Sequence, residues 1–365
     1  MTSAFASWLA GRANGQIEFA PGIATPRRFS DPRLEHLATR RMGGLFDFSF
    51  MSCTDIRGTG ALACVNALQT RRLDALRPGR IVYTLLLREV GTVLNDATVW
   101  RLGKDRFWVF TGRRADSLFI AQFGTVFDVE IADRGAAQAV IAVQGDISRR
   151  TIEQCFPRIS LATLPYFGFA RAMFGAVECW IARLGYSGET GYELVIADAA
   201  AASLWQALLD AGRGAGLVEC GFDAVDSLRI EAGHILFTRE LATPMTPFEL
   251  GFSRLVDFDQ RAFYGAQALR RNRRKEPTRR LVGLLPAEDA EVEVGVPGRL
   301  DDGSAVMTSA CWSPLLERHI GMGFVSSRDA DLGTVVRLGS GARARVARLP
   351  FYDPAKVLPK RSLPP

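Results

Sequence analysis

The sequence predicts an α+β protein in two parts: mixed and antiparallel sheets over residues 1–272, and a small all-β domain, a barrel, over residues 273–365. Three observations carry this. At 365 residues the chain exceeds a typical single core. Strand-like apolar runs follow one another from Ile81 to Thr111, while helical spacing recurs irregularly elsewhere. The run RRNRRKEPTRR, Arg270 to Arg280, is charged, contains a proline and reads as a linker. From RLVGLL to RVARLPF beyond it, short strands are broken by Gly, Pro and Asp turns.

Taken in order, Arg33 to Asp47 is a short helix with Leu34, Leu37 and Ala38 on one face, stopped by Gly-Gly, with a strand to follow. Thr59 is the expected N-cap of ALACVNALQT, whose Ala61, Val65 and Leu68 recur at helical spacing. The runs IVYTLLL, TVLNDATVWRL and RFWVFT form a β-meander that holds Asp96. Flanked by Leu94, Ala97 and Val99, this acid either closes a turn with Asn95 or is desolvated for a purpose, with Tyr83 able to share its pocket. FDVEIADRG and AVIAVQGDIS are two further strands, and ISRRTIEQCF starts a helix.

Ile181 to Leu194, IARLGYSGETGYEL, is a hairpin whose tip needs permissive backbone at Gly188 and Gly191. Tyr186 and Tyr192 offer flat faces there, and Glu193 points to a pocket or to solvent. A carboxylate beside aromatic rings suits a flat heterocycle with two parallel N–H donors, such as a pterin; a hairpin with solvated polar residues has the same spacing. SLWQALLDAG continues as a helix ended by GRGAG, whose glycines follow a helix and so form no dinucleotide fingerprint. In DAVDSLRIEAG, Asp223 is the expected N-cap, Gly233 the stop, Arg229 and Glu231 surface charges, and His234 a packed or capping residue.

Composition narrows the classes. Apolar residues make up 48% and charged residues 23%, a globular balance. No run reaches the roughly 18–20 apolar residues that span a bilayer, and the opening MTSAFASWLAGRANG lacks a basic n-region, so a cytoplasmic protein without membrane contact is expected. Cys53, Cys64, Cys155, Cys179, Cys220 and Cys311 are scattered, which indicates neither a metal site nor a disulfide framework. The net charge of +6 and a pI near 9.2 suit an anionic small molecule or nucleic acid, but the basic run lacks interleaved aromatics and no nucleic-acid partner is expected.

With these segments in view, the chain resembles the aminomethyltransferase (glycine-cleavage T-protein) family, which also holds folate-dependent demethylases and the folate-binding domains of sarcosine and dimethylglycine oxidising enzymes. The resemblance runs from about Arg33 to Pro354 through GLFDFSFM, VGTVLNDATVWRL, LGYSGETGYEL, LRIEAGHILF, TPFELGF, TSACWSP and PFYDP, in the family's order. It implies a central cavity for tetrahydrofolate, capped by the C-terminal barrel, and transfer of one carbon to folate N5. By matching position it implies that Asp96 is the essential aspartate, Glu193 the pterin-binding glutamate, and Tyr83, Glu178 and Tyr186 pocket-lining residues. A carboxylate near N5 would orient it and stabilise developing positive charge.

The chain departs from the T-protein pattern at Asn95, where the family has Asp, at Phe50, where it has His, at Gly112, where it has Asn, and at Val225, where it has Arg. Asn95-Asp96, Phe167 to Phe169 and PFELGF are more similar to the demethylase branch. The expectation is therefore an aminomethyl or methyl transferase, demethylase-like rather than a glycine-cleavage enzyme, taking a small O-, S- or N-linked donor, with no lipoyl carrier protein as partner. The alternative is a non-catalytic folate binder of the iron–sulfur assembly type, whose Lys-Gly-Cys segment is not found here.

Overall fold

The computed structural model describes residues 3–258, 262–273, 275–288, 290, 292–295, 300 and 303–361. The chain opens with α1 (Ala4–Ala10), the hairpin β1 (Gln16–Ala20) and β2 (Ile23–Pro26), α2 (Pro32–Arg41), β3 (Gly43–Asp47), β4 (Ser52–Arg57) and α3 (Ala61–Leu68). The meander follows as β5 (Arg80–Leu87), β6 (Val93–Gly103) and β7 (Arg106–Thr111), then α4 (Asp116–Gly124), β8 (Glu130–Asp133), β9 (Gln138–Gln144) and α5 (Ser148–Cys155). Next come β10 (Phe169–Phe174), β11 (Val177–Ala182), β12 (Gly191–Ala197), α6 (Asp198–Arg213), β13 (Leu217–Glu219) and α7 (Phe222–Glu231). After α8 (Ala266–Asn272), the C-terminal strands are β14 (Arg279–Pro286), β15 (Ala305–Ser313), β16 (Arg318–Ser326), β17 (Val335–Arg337) and β18 (Arg343–Ala347).

Two sheets build the larger region. One is six-stranded, ordered β10-β11-β12-β9-β3-β13, with β13 parallel to β3 and its other neighbours antiparallel. The other is five-stranded and antiparallel, ordered β5-β6-β7-β4-β8. Strand alternation gives each sheet two apolar faces. On β12, Tyr192, Leu194 and Ile196 pack with Trp205 and Leu208 of α6, while Val195 joins Phe46, Trp108 and Phe110 between the sheets. On β6, Ala97 and Val99 pack with Val65 and Leu68 of α3, while Trp100 joins the layer between the sheets. The C-terminal strands are ordered β15-β16-β14-β18-β17, and a bridge from Ser304 to Arg337 closes them as a barrel.

Several local expectations are corrected. The buried face of α2 is Glu35, His36 and Thr39, and Leu34 is exposed. The helix is held by polar contacts: the Glu35 carboxylate accepts from the backbone of Phe29, Ser30 and Gly221, and Nδ1 of His36 meets the Ser227 hydroxyl at 2.7 Å. Gly43 and Gly44 open β3. The N-cap of α3 is Gly60, because the Thr59 hydroxyl is engaged with Asp128. Gly221 caps α7, and Asp223 lies in its first turn, paired with Arg27.

The hairpin of β11 and β12 is antiparallel, with Ile181 opposite Leu194, and Gly188 at its tip has φ 83°. Gly191 is in the strand, where a Cβ would come within 2.4 Å of the Gln144 side chain, so close packing explains that glycine. Tyr192 turns toward α6 and is buried away from the space between the sheets. Arg229 and Glu231, expected at the surface, are both fully buried. Within the basic run, Arg274 lies outside the described residues.

Candidate active site

Between the two sheets and the C-terminal tail lies a cavity of about 410 Å³. The five-stranded sheet sends Tyr83, Asp96 and Thr98 into it, and the six-stranded side sends Tyr186 and Glu193. On β6 the even-numbered Asp96 and Thr98 face inward, and on β12 Glu193 shares the inward face of Val195. Asn95, one residue from Asp96, necessarily turns the other way, and its amide donates to Asp116 Oδ2 at 2.7 Å under α4. An aspartate at that place would set two carboxylates against each other, so Asn95 is a core adjustment. Val225 is likewise buried in α7 and outside the cavity lining, whereas Phe50 and Gly112 line it.

Asp96 accepts a hydrogen bond from the Tyr83 hydroxyl at 3.0 Å. Burial pushes its carboxyl up to about 6, opposed by the Tyr83 hydrogen bond. Glu193 is pushed up to about 8 by burial, and no hydrogen bond or ion pair to its carboxyl is found among the described residues. Tyr186 donates its hydroxyl to the Ile235 carbonyl and stacks on His234 with ring centroids 5.5 Å apart. Burial lowers His234 to about 3, so the imidazole is neutral at physiological pH.

Glu178 is not part of this lining. It shares a face of β11 with Trp180 and Ala182, but at the far end of the strand, where it is exposed and held by Arg171 and the Trp180 indole. Alternation chooses a face and not a position along it, and the position takes this side chain into solvent.

Other lining residues escaped the sequence reading. His234, Ile235, Leu236 and Phe237 form one wall after α7, Phe252 another, and Tyr352, Asp353, Lys356 and Lys360 arrive from the C-terminal tail. Phe167, Asp353 and Lys356 have left-handed backbone, with φ of 58°, 46° and 51°, and all three line the cavity. Backbone of that kind in bulky residues costs of order 1–3 kcal/mol and gathers at functional sites. The blocks LRIEAGHILF, TPFELGF and PFYDP contained most of these residues, but long-range packing alone brings them to one cavity.

The family's GCVT N-terminal domain pattern matches residues 8–260, and its glycine cleavage T-protein C-terminal barrel domain pattern matches residues 279–353. The chain belongs to the glycine cleavage T-protein family. An aminomethyltransferase of Streptomyces avermitilis is 36% identical over 344 residues, covering 91% of this chain and 92% of that protein. One from Geobacillus kaustophilus is 34% identical over 353 residues, covering 93% and 95%. The crystal structure of the glycine cleavage system aminomethyltransferase T from Bartonella henselae has the same fold, with a TM-score of 0.85 over 98% of both chains at 24% identity.

The family's cofactor is tetrahydrofolate, and the cavity residues fit it. Glu193 is a desolvated carboxyl without a partner among the described residues, which suits a ligand edge with paired N–H donors. Tyr166, Phe167 and Tyr186 supply flat faces around it, and Lys356 and Lys360 supply cations at the tail for an anionic extension. Among the described residues no group of three His, Cys, Asp or Glu is placed to hold a metal ion, and no helix is long and apolar enough to cross a membrane.

Proposed function

We propose that this protein transfers a one-carbon unit, as an aminomethyl or methyl group, from a small donor to tetrahydrofolate. The observation that carries the reading is the pairing of two inward-facing carboxyls from opposite sheets. Among the described residues the Glu193 carboxyl has no hydrogen-bond or ion-pair partner, and Asp96 is held by Tyr83. Glu193 would receive the N–H edge of the pterin, with Tyr186 fixed beside it by the Ile235 carbonyl. Bound tetrahydrofolate would supply N5 as the nucleophile, and the proton that N5 loses would go to the donor heteroatom released as its bond to carbon breaks.

Asp96 would stand next to that exchange. Its carboxyl, raised to about 6 by burial, is mostly ionised at neutral pH and can accept a proton or stabilise positive charge on the departing carbon. The Tyr83 hydroxyl holds it in one orientation beside an aromatic lining that includes Phe110, Phe167 and Phe252. Asp96 would therefore act on the transition state more than on binding.

Asp96→Asn keeps the shape and removes the charge, so kcat is expected to fall on the order of 100-fold while the folate dissociation constant changes by less than about tenfold. Single-turnover rates and folate affinity on the same purified variant test this. Normal turnover by the variant would leave a folate binder without this catalytic residue, which is the non-catalytic alternative.

The relatives' names favour aminomethyl transfer. Of the four departures from the T-protein pattern, Phe50 and Gly112 line the cavity and support a demethylase-like donor, as do Phe167 and Phe252, while Asn95 and Val225 lie away from it. The donor is proposed to be a free small molecule and not the arm of a lipoyl carrier. Robust transfer from an aminomethyl-loaded glycine-cleavage carrier protein in a purified assay would overturn that part.

A further inference from the structure

We infer that Phe237 is the specificity-determining residue on the donor side, admitting donors whose one-carbon unit hangs from a flat, uncharged, apolar body. The inference rests on the one-carbon transfer proposed above. Ala97 pairs with Thr111, and Thr111 with Ser52, so Asp96, Gly112 and Met51 gather at one end of the five-stranded sheet. At that end Gly112 makes room for a ring: a Cβ there would lie 2.6 Å from Cδ1 and 2.9 Å from Cε1 of Phe237. Phe237 thus takes the space that any side chain at position 112 would need. Its ring continues through Phe19, 5.7 Å away, to Phe50, a further 4.4 Å from Phe19.

The wall is also fixed. Arg229 donates to the His234 carbonyl at 3.1 Å, Tyr186 to the Ile235 carbonyl, and the Leu236 N–H to Glu240 at 2.8 Å. Arg229 and Glu240 are themselves a fully buried pair at 3.0 Å, so the segment that carries Phe237 has little freedom to retreat. A side chain held in this way can discriminate between donors, because a donor that does not fit has to break these bonds.

The charges agree with the shape. Asp96 is the charged side chain that the five-stranded sheet brings to the cavity, and Glu193 faces it from the other sheet. The cations Lys356 and Lys360 come from the tail, whose Tyr352 and Pro350 abut Gly188 and Gly233. Among the described residues the cations lining the cavity are these two tail lysines, whereas the rings of Phe237, Phe19 and Phe50 favour a flat apolar body by edge and face contacts. A flexible amide-bearing arm gains little from the same wall.

The test saturates the full chain with 5-formyltetrahydrofolate and then titrates it calorimetrically with methoxybenzene and, separately, with dihydrolipoamide. The wild-type chain is expected to prefer methoxybenzene by about tenfold or more. Phe237→Ala and Gly112→Asn, which remove or displace the ring, should each bring that preference below about threefold, with Phe237→Leu between them. Thermal melting confirms that each variant is folded, and the leucine variant keeps the volume should the others be unstable. Equal affinities in the wild type, or a preference that survives Phe237→Ala, would overturn the inference. Failure of the wild-type chain to bind the folate overturns the proposed function instead.

Discussion

Glu193 makes the sharpest statement at the scale of one residue, because burial alone sets its ionisation. With its carboxyl raised from 4.5 to about 8, the folded chain keeps a proton that the unfolded chain gives up. Stability is therefore expected to fall as pH rises from about 4.5 to 8 and to level off beyond, and Glu193→Gln should flatten that slope. Pterin donors favour the ionised carboxylate, so at pH 7 folate binding should release a proton, and affinity should climb with pH up to about 8. Calorimetry in two buffers of different ionisation enthalpy counts the proton; no release by the wild type, or equal release by Glu193→Gln, would remove Glu193 from the pterin edge. Glu193→Ala should cost about 1.5–3 kcal/mol of folate binding, the worth of hydrogen bonds to a charged group. The inward placement of this residue was legible in sequence, since Tyr192 and Leu194 are apolar neighbours that alternation turns to the other face. The same rule could not place Glu178, whose fate depends on where its strand ends.

At the scale of elements, the meander and the hairpin were legible because alternation and turn residues coincide there. The errors fell at helix ends and on buried polar faces. Thr59 and Asp223 have the chemistry of N-caps, but each found a partner elsewhere, Asp128 and Arg27 respectively, and glycines took the cap positions. For α2, a periodic apolar stripe pointed to Leu34, whereas Glu35 and His36 are buried because backbone donors hold the one and the Ser227 hydroxyl the other from distant parts of the chain. No local pattern announces such partners. The segment from α8 to β14 is proposed as the boundary between the two parts: α8 ends at Asn272, β14 begins at Arg279, and the charged residues between them are ill suited to a core. Limited proteolysis with trypsin should cut first between residues 270 and 280. Full protection there, with cleavage clustered elsewhere, would argue against that division.

Across the whole molecule, α7 joins the larger, two-sheet region to the barrel through buried charge. Glu231 receives Arg40 at 2.8 Å and His36 at 3.1 Å, and also the Ser313 hydroxyl of β15, while its carbonyl takes the N–H groups of Phe351 and Tyr352 at 2.9 Å. Arg229 pairs with Asp226 at 2.7 Å and Glu240 at 3.0 Å and donates to Ser309 of β15, and Glu240 in turn accepts from Thr308 and Ser309. The same network positions the cavity wall at His234 and Leu236, so docking of the barrel and the shape of the site depend on one set of contacts. Removing one partner leaves the other charge buried, which typically costs about 3–5 kcal/mol, far more than an exposed pair is worth. Arg229→Met is therefore expected to destabilise by that amount and to weaken folate binding as the wall at 234–237 loosens. Pairing it with Glu240→Gln removes the orphaned charge, so the double variant should be less destabilised than the sum of the two single ones. Denaturant titration of the four proteins measures the coupling, and folate calorimetry on the same samples measures the wall. A fully additive cycle, or an Arg229→Met protein within about 1 kcal/mol of wild type, would mean that packing around α7 holds the two parts together without the ion pair.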